Sequence, residues 1–104
     1  MPDERRKRST EVVDQPEQEV ELPPLFRVVL HNDDYTTMEF VVSVLESVFL
    51  MHPAEAYGVM LQVHRHGRGA AGVYPYEIAE TKVGLVHGLA RESGFPLRAS
   101  IEDE

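Results

Sequence analysis

Charged and apolar residues are distributed unevenly along the chain and divide it into two parts. The few apolar residues of positions 1–23 follow no helical or strand period, and charged residues and prolines lie between them. Pro23-Pro24 ends this stretch, and apolar residues recur regularly after it. We therefore expect a flexible, charged amino-terminal extension over residues 1–23 and one folded domain over residues 24–104.

Six elements are predicted within the folded part. An apolar, β-branched run that ends in the turn composition Asn32-Asp33-Asp34 is typical of a strand. Thr36 and Glu39 match the capping-box pattern S/T-x-x-E, and the apolar residues after them recur at intervals of three and four, which predicts a helix. The same patterns, punctuated by prolines and glycines, predict strands at about 26–32, 70–74 and 97–101 and helices at about 36–49, 53–67 and 77–92.

The order of these elements, β-α-α-β-α-β, predicts a single small α+β domain. It is satisfied most simply by a three-stranded, mostly antiparallel sheet packed against three helices. In the third helix we expect the buried face to consist of Ile78, Val83, Val86, Leu89 and Ala90. No obvious apolar stripe would then remain on the surface, so we expect a monomer.

Composition and charge narrow the classes of function. The chain has 104 residues, no cysteine and a formal net charge of −8, and no apolar run approaches the roughly 20 residues that span a bilayer. An acidic surface repels a phosphate backbone, and the basic cluster at residues 5–8 lies in an extension that is also rich in acidic residues. We expect a cytoplasmic protein that binds neither nucleic acid nor membranes.

The sequence offers little for catalysis. It has no cysteine nucleophile, no serine in a G-x-S-x-G context, and no phosphate-binding loop ahead of a helix. Its five histidines are scattered, and no two have the i, i+4 spacing of a helical zinc site. We therefore expect no catalytic residue, no cofactor and no metal, and we expect that the chain is not an enzyme.

The run Asn32-Asp33-Asp34 admits two interpretations. It can be a turn whose carboxylates favour the positive end of the following helix. It can also be a site for a cation, because amide and carboxylate oxygens are hydrogen-bond acceptors. The spacing of an EF-hand is absent, so such a cation would be an ammonium or guanidinium group of a partner. Spacing alone leaves both interpretations open.

Four collinear motifs resemble the ClpS adaptors, which deliver substrates with amino-terminal degrons to a Clp-type AAA+ protease. The similarity runs from about Pro24 to Leu97 and so covers the predicted domain. The motifs are Asn32-Asp33-Asp34-Tyr35-Thr36-x-Met38-Glu39-Phe40-Val41, Met60-x-x-Val63-His64, Gly72-Val73-Tyr74 and Ala79-Glu80-Thr81-Lys82-Val83. The extension is not matched in sequence, although such adaptors carry a variable one.

The resemblance implies a ligand and a pocket. The ligand is a free α-amino group, whose three N–H donors would be bound by Asn32, Asp33 and a neutral His64. The bulky first side chain of the substrate, Leu, Phe, Tyr or Trp, would enter an apolar pocket, for which the family implies the wall residues Thr36, Met38, Val41, Met60, Val63 and Leu97. From spacing alone, these wall positions would be assigned to the core.

The resemblance also implies a partner. Glu77 and Lys82 match positions that dock on the amino-terminal domain of a ClpA-type AAA+ chaperone, and the extension would be engaged by that unfoldase. One departure is Thr37, where the family commonly has proline; we expect it as the first helical residue, with the cap at Thr36 and Glu39 intact.

Two alternatives to an adaptor stay open at this point. One is a generic α+β interaction module whose pocket is unused. The other is a small hydrolase or metal enzyme that uses Asp33, Asp34 and His64.

Overall fold

A computed structural model describes residues 21–104. Most of the predicted extension, including the basic cluster at residues 5–8, lies outside the described residues. The elements are β1 (Leu25–His31), α1 (Met38–Ser47), α2 (Pro53–His66), β2 (Arg68–Pro75), α3 (Tyr76–Ser93) and β3 (Arg98–Asp103). The predicted element order and the α+β class are therefore confirmed.

β1 forms the centre of the sheet. The strand order is β2-β1-β3, and both pairings are antiparallel. At the end of β1, His31 lies opposite Arg68 of β2 and Arg98 of β3. Because β1 is the central strand, the turn that follows it leaves the sheet between the ends of the two outer strands.

The helices and the sheet enclose one apolar core. Val28 and Leu30 of β1 are fully buried in it, because alternate residues of a strand point to the same face. The core also includes residues from all three helices and from β2 and β3, among them Val44, Leu45, Ala56, Val63, Ala71, Val86 and Ala99. Within residues 21–104, no helix has the length and apolar character needed to cross a membrane.

The start of α1 differs from the prediction. The N-cap is Thr37, whose hydroxyl accepts a hydrogen bond from the backbone N–H of Phe40 at 3.1 Å. The prediction that Thr36 caps the helix, with Thr37 inside it, is wrong because the Thr36 hydroxyl donates to Asp33 instead. Thr37 therefore supplies a stabilising cap.

The ends of α2 and α3 agree with the prediction. Pro53 occupies the first turn of α2, where its missing N–H has no helical partner to lose. Gly67 and Gly94 end α2 and α3 with φ values of 87° and 77°, a left-handed conformation that glycine adopts without steric cost.

The buried face of α3 differs from the prediction. Val86 and Ala90 are buried as expected, together with Ala79. Ile78 and Leu89, however, are 47% and 36% exposed, so their assignment to the buried face is wrong. With Leu85 they form a partly exposed apolar stripe at i, i+7 and i+11 along one flank of the helix. The expectation that no such stripe remains is therefore also wrong, and the prediction of a monomer loses its basis.

Candidate functional site

The turn between β1 and α1 is organised by the Asp33 carboxylate. Its Oδ1 accepts hydrogen bonds from the backbone N–H groups of Tyr35 at 2.8 Å and Thr36 at 2.7 Å. Its Oδ2 accepts one from the Thr36 hydroxyl at 2.7 Å. Burial raises the pKa of Asp33, but the donors on Thr36 and Tyr35 outweigh it and hold that pKa below its ordinary value. The carboxylate is therefore ionised and fixed in orientation, with acceptor capacity left on Oδ2.

The same turn is tied to the end of α2. The backbone N–H of Asn32 donates to the carbonyl of Gly67 at 2.9 Å. Two residues after Gly67, β2 packs closely against α2 at Gly69. A Cβ atom added to Gly69 would lie only 2.8 Å from a methyl carbon of Val63. These contacts bring the polar turn after β1 beside the last turn of α2, which carries His64.

A cavity of about 220 Å³ opens between the turn, α1 and α2. All of the predicted ligand-binding residues except Leu97 line it, together with Asp34: Asn32, Asp33, Thr36, Met38, Val41, Met60, Val63 and His64. Leu97 is not among the lining residues; it is 4% exposed and belongs to the core cluster. Asp34 also lines the cavity; the sequence offers it as part of a cation site in the run Asn32-Asp33-Asp34, although the ligand-binding residues implied by the resemblance do not include it.

The cavity has one polar and one apolar side. Val41, Met60 and Val63 are buried members of the core, so the same side chains stabilise the fold and form the cavity wall. Met38 is 42% exposed and lies at the first position of α1. The flexible thioether side chains of Met38 and Met60 allow the wall to adapt to ligands of different shape.

The polar side consists of an amide, two carboxylates and an imidazole. The side chains of Asn32, Asp34 and His64 are exposed, whereas that of Asp33 is half-buried. Amide, carboxylate and neutral imidazole groups can all accept hydrogen bonds, so this side suits a cation with several N–H donors. Among residues 21–104, no group of three or more metal-ligating side chains is placed to hold a metal ion.

The two predicted docking residues lie on α3 in different surroundings. Glu77 is exposed in the first turn of the helix. Lys82 is half-buried: its Nζ donates to the carbonyl of Val48 at 2.7 Å and lies 5.5 Å from the centre of the Tyr74 ring. Lys82 therefore joins α3 to the end of α1 as well as presenting a charge.

His31 forms a polar cluster on the sheet next to the turn. Its Nε2 lies 2.6 Å from the Ser100 hydroxyl. Burial and the nearby guanidinium groups of Arg98 and Arg68 lower the pKa of His31 below its usual value, and Glu102, which forms an ion pair with Arg68, opposes them. The neutral imidazole is therefore the form that the fold favours.

Comparisons with known proteins agree on one family. The model of the family "ATP-dependent Clp protease adaptor protein ClpS" matches residues 21–100. The ATP-dependent Clp protease adapter protein ClpS of Nitratidesulfovibrio vulgaris is 60% identical over 87 residues, which cover 84% of this chain and 87% of that protein. Its counterpart from Desulfatibacillum aliphaticivorans is 54% identical over 94 residues, 90% of each chain.

A solved structure is similar as well. Agrobacterium tumefaciens ClpS2 bound to L-phenylalaninamide superimposes with a TM-score of 0.77 and 43% sequence identity, over 80% of this chain and 100% of that one. These proteins are adaptors and not enzymes, which confirms the expectation that the chain is not an enzyme. The chain belongs to the ClpS family, the adaptor proteins of the ATP-dependent Clp protease.

Proposed function

We propose that this adaptor binds the free α-amino group and the bulky hydrophobic first side chain of N-degron substrates and delivers them to a ClpA-type AAA+ unfoldase. The supporting observation is an ionised, oriented Asp33 carboxylate at the edge of a cavity whose far wall is apolar. In an amino-terminal Leu, Phe, Tyr or Trp, the α-carbon carries both a positively charged amino group, which complements the carboxylate, and an apolar side chain, which complements the wall.

The amino group is bound at the polar side. An α-ammonium has three N–H donors, and we assign them to the Asn32 amide oxygen, Asp33 Oδ2 and the His64 imidazole. Asp33 contributes the charge because its pKa is held low, and the hydrogen bonds that it accepts from Thr36 fix the orientation of its carboxylate. His64 accepts only while it is neutral.

The first side chain enters the apolar side. A volume of about 220 Å³ is below the roughly 300–1,000 Å³ of pockets that hold drug-sized molecules, and it suits a single side chain. The wall then consists of Thr36, Met38, Val41, Met60 and Val63. The solved relative binds L-phenylalaninamide, which has a free amino group and a phenylalanine side chain, and this supports the proposal. Leu97 would support this wall from the core behind it.

Delivery uses a second surface. We assign the contact with the amino-terminal domain of the unfoldase to Glu77, whose side chain is exposed to solvent, and to Lys82. The extension over residues 1–23 would be the segment that the unfoldase engages. The proposal places the protein in the cytoplasm, with protein partners and no cofactor.

The amino-group assignment is tested by Asp33→Ala in fluorescence anisotropy with a labelled peptide that begins with a free Leu. Stranding one partner of a desolvated charge pair costs about 2–5 kcal/mol, so affinity should fall by at least about 30-fold. Asp103→Ala removes an exposed carboxylate at the end of β3, outside the cavity, and should bind like the parent protein. Equal affinity of the two variants would refute the assignment.

The docking assignment is tested separately. Glu77→Lys should weaken binding to the isolated amino-terminal domain of a ClpA-type unfoldase and leave affinity for the free-Leu peptide unchanged, because Glu77 does not line the cavity. Unchanged binding to that domain would remove Glu77 from the interface.

A further inference from the structure

A second concave surface lies beside the cavity, in the groove between α1 and α2. It has a volume of about 370 Å³ and is lined by Met38, Glu39, Val42, Ser43, Glu46, Tyr57 and Met60. Met38 and Met60 line both the cavity and this groove, so the two spaces share a wall. Tyr57 is 56% exposed, so its aromatic ring offers apolar surface to a ligand in the groove.

The spacing between the cavity and the groove matches an extended peptide. On α2, the residues that line the cavity lie between positions 60 and 64, and those that line the groove lie between positions 57 and 60. On α1, the cavity is lined as far as residue 41, whereas the groove is lined as far as residue 46. With a rise of 1.5 Å per residue, their centres are about 4–6 Å apart along the helices. In an extended chain the first and third side chains point the same way and lie about 7 Å apart. A peptide whose first residue occupies the cavity, and whose chain runs towards the start of α2, therefore brings its third residue to the groove.

The groove has a charge preference. Glu39 and Glu46 lie seven residues apart on α1, so they border the groove on one face of that helix. None of the described residues that line the groove is Lys or Arg. An apolar side chain with a cationic neighbour fits these surroundings, whereas an acidic neighbour would be repelled.

Resting on the proposed function, we propose that this groove is a second substrate subsite, which binds an apolar side chain at the third position of the degron. The side chain packs against Tyr57, Val42 and the outer surface of Met60. The adaptor then reads a short sequence and not only its first residue.

The experiment compares two peptides that both begin with a free Leu and differ only in having leucine or serine at position three. Fluorescence anisotropy should show the leucine peptide binding about five- to tenfold more tightly, the gain expected for partial burial of one aliphatic side chain. In Tyr57→Ala this ratio should fall to near one, while affinity for the serine peptide stays the same. Tyr76→Ala, a control tyrosine that is 48% exposed at the start of α3, should keep the ratio.

The outcomes separate the subsite from the proposed function. Selectivity for a free Leu at position one, without any effect of position three, would overturn the subsite and leave the proposed function intact. Failure of every peptide to bind would overturn both. A preference for leucine at position three that survives Tyr57→Ala would overturn the groove as its location. Far-UV circular dichroism of Tyr57→Ala checks that the variant is folded, and Val42→Ser provides a second variant of the same surface.

Discussion

The Thr36 hydroxyl is expected to act through Asp33 and not only as part of the cavity wall. Thr36→Val keeps the size of the side chain and its methyl group but removes the hydrogen bond to Asp33 Oδ2. The bonds from the backbone N–H groups of Thr36 and Tyr35 to Oδ1 remain. The carboxylate should therefore stay in the turn with a less fixed Oδ2, the oxygen that the proposed function assigns to the ligand.

The size of this effect follows from the geometry. One hydrogen bond contributes about 0.5–1.5 kcal/mol, and half-burial of Asp33 places it near 1 kcal/mol or below. The pKa of Asp33 is lower in the folded protein than in the unfolded chain, so the ionised carboxylate stabilises the fold. This stabilisation is complete above the unfolded-state pKa, about 3.9, and is lost as the pH falls through the folded-state pKa. Thr36→Val should raise that pKa towards its ordinary value. Affinity for a free-Leu peptide should fall about two- to fivefold.

The neighbouring threonine provides a matched control. Thr37→Val removes the hydroxyl that caps α1 and should lower stability by about 1 kcal/mol. The hydroxyl of Thr37 bonds to Phe40 and not to Asp33, so the Asp33 carboxylate should be unaffected. An NMR titration of Asp33, urea unfolding and peptide anisotropy are to be measured for both variants. We expect both to lose stability and only Thr36→Val to change the pKa and the affinity. A Thr36→Val variant with the parent pKa and affinity would refute the role of the hydroxyl.

Three further predictions concern stability. Burial and two arginines lower the pKa of His31 in the fold, so the free energy of unfolding should decrease as the pH falls below about 6.5. Urea unfolding measured at a series of pH values should show a weaker decrease for His31→Gln. The same pH dependence in the variant and the parent protein would contradict this role of His31. Lys82→Met should lower stability by about 1 kcal/mol, through loss of the bond to Val48, even without an unfoldase; an unchanged melting temperature would count against this contact. Gly69→Ala should cost about 1–3 kcal/mol because its Cβ would press on Val63, and full stability in thermal unfolding would show that α2 moves away freely.

Much of the fold could be predicted because its signals are local. Pro53 at the start of α2, and Gly67 and Gly94 after α2 and α3, act through their own backbone geometry, so the sequence alone identifies these boundaries. The start of α1 could not be predicted in this way. Thr36 and Thr37 are both suitable caps, and the choice depends on the Asp33 carboxylate, which binds the first of them.

The cavity could be predicted only through the resemblance to a family. Val41, Met60 and Val63 recur at helical spacing and are buried, so nothing in their pattern distinguishes a cavity wall from the core. Periodicity likewise does not show how wide the buried stripe of a helix is. Small residues such as Ala79 bring α3 close to the rest of the core, and Ile78 and Leu89 on its flanks are left in solvent.

The most direct test of the central claim is anisotropy with two peptides that begin with Leu and differ only in acetylation of the amino terminus. The proposed function requires the three N–H donors and the charge of the free amine, so the free peptide should bind at micromolar concentrations or below. The acetylated peptide should bind at least about 30-fold more weakly. Equal binding of the two would show that the cavity does not recognise an amino terminus.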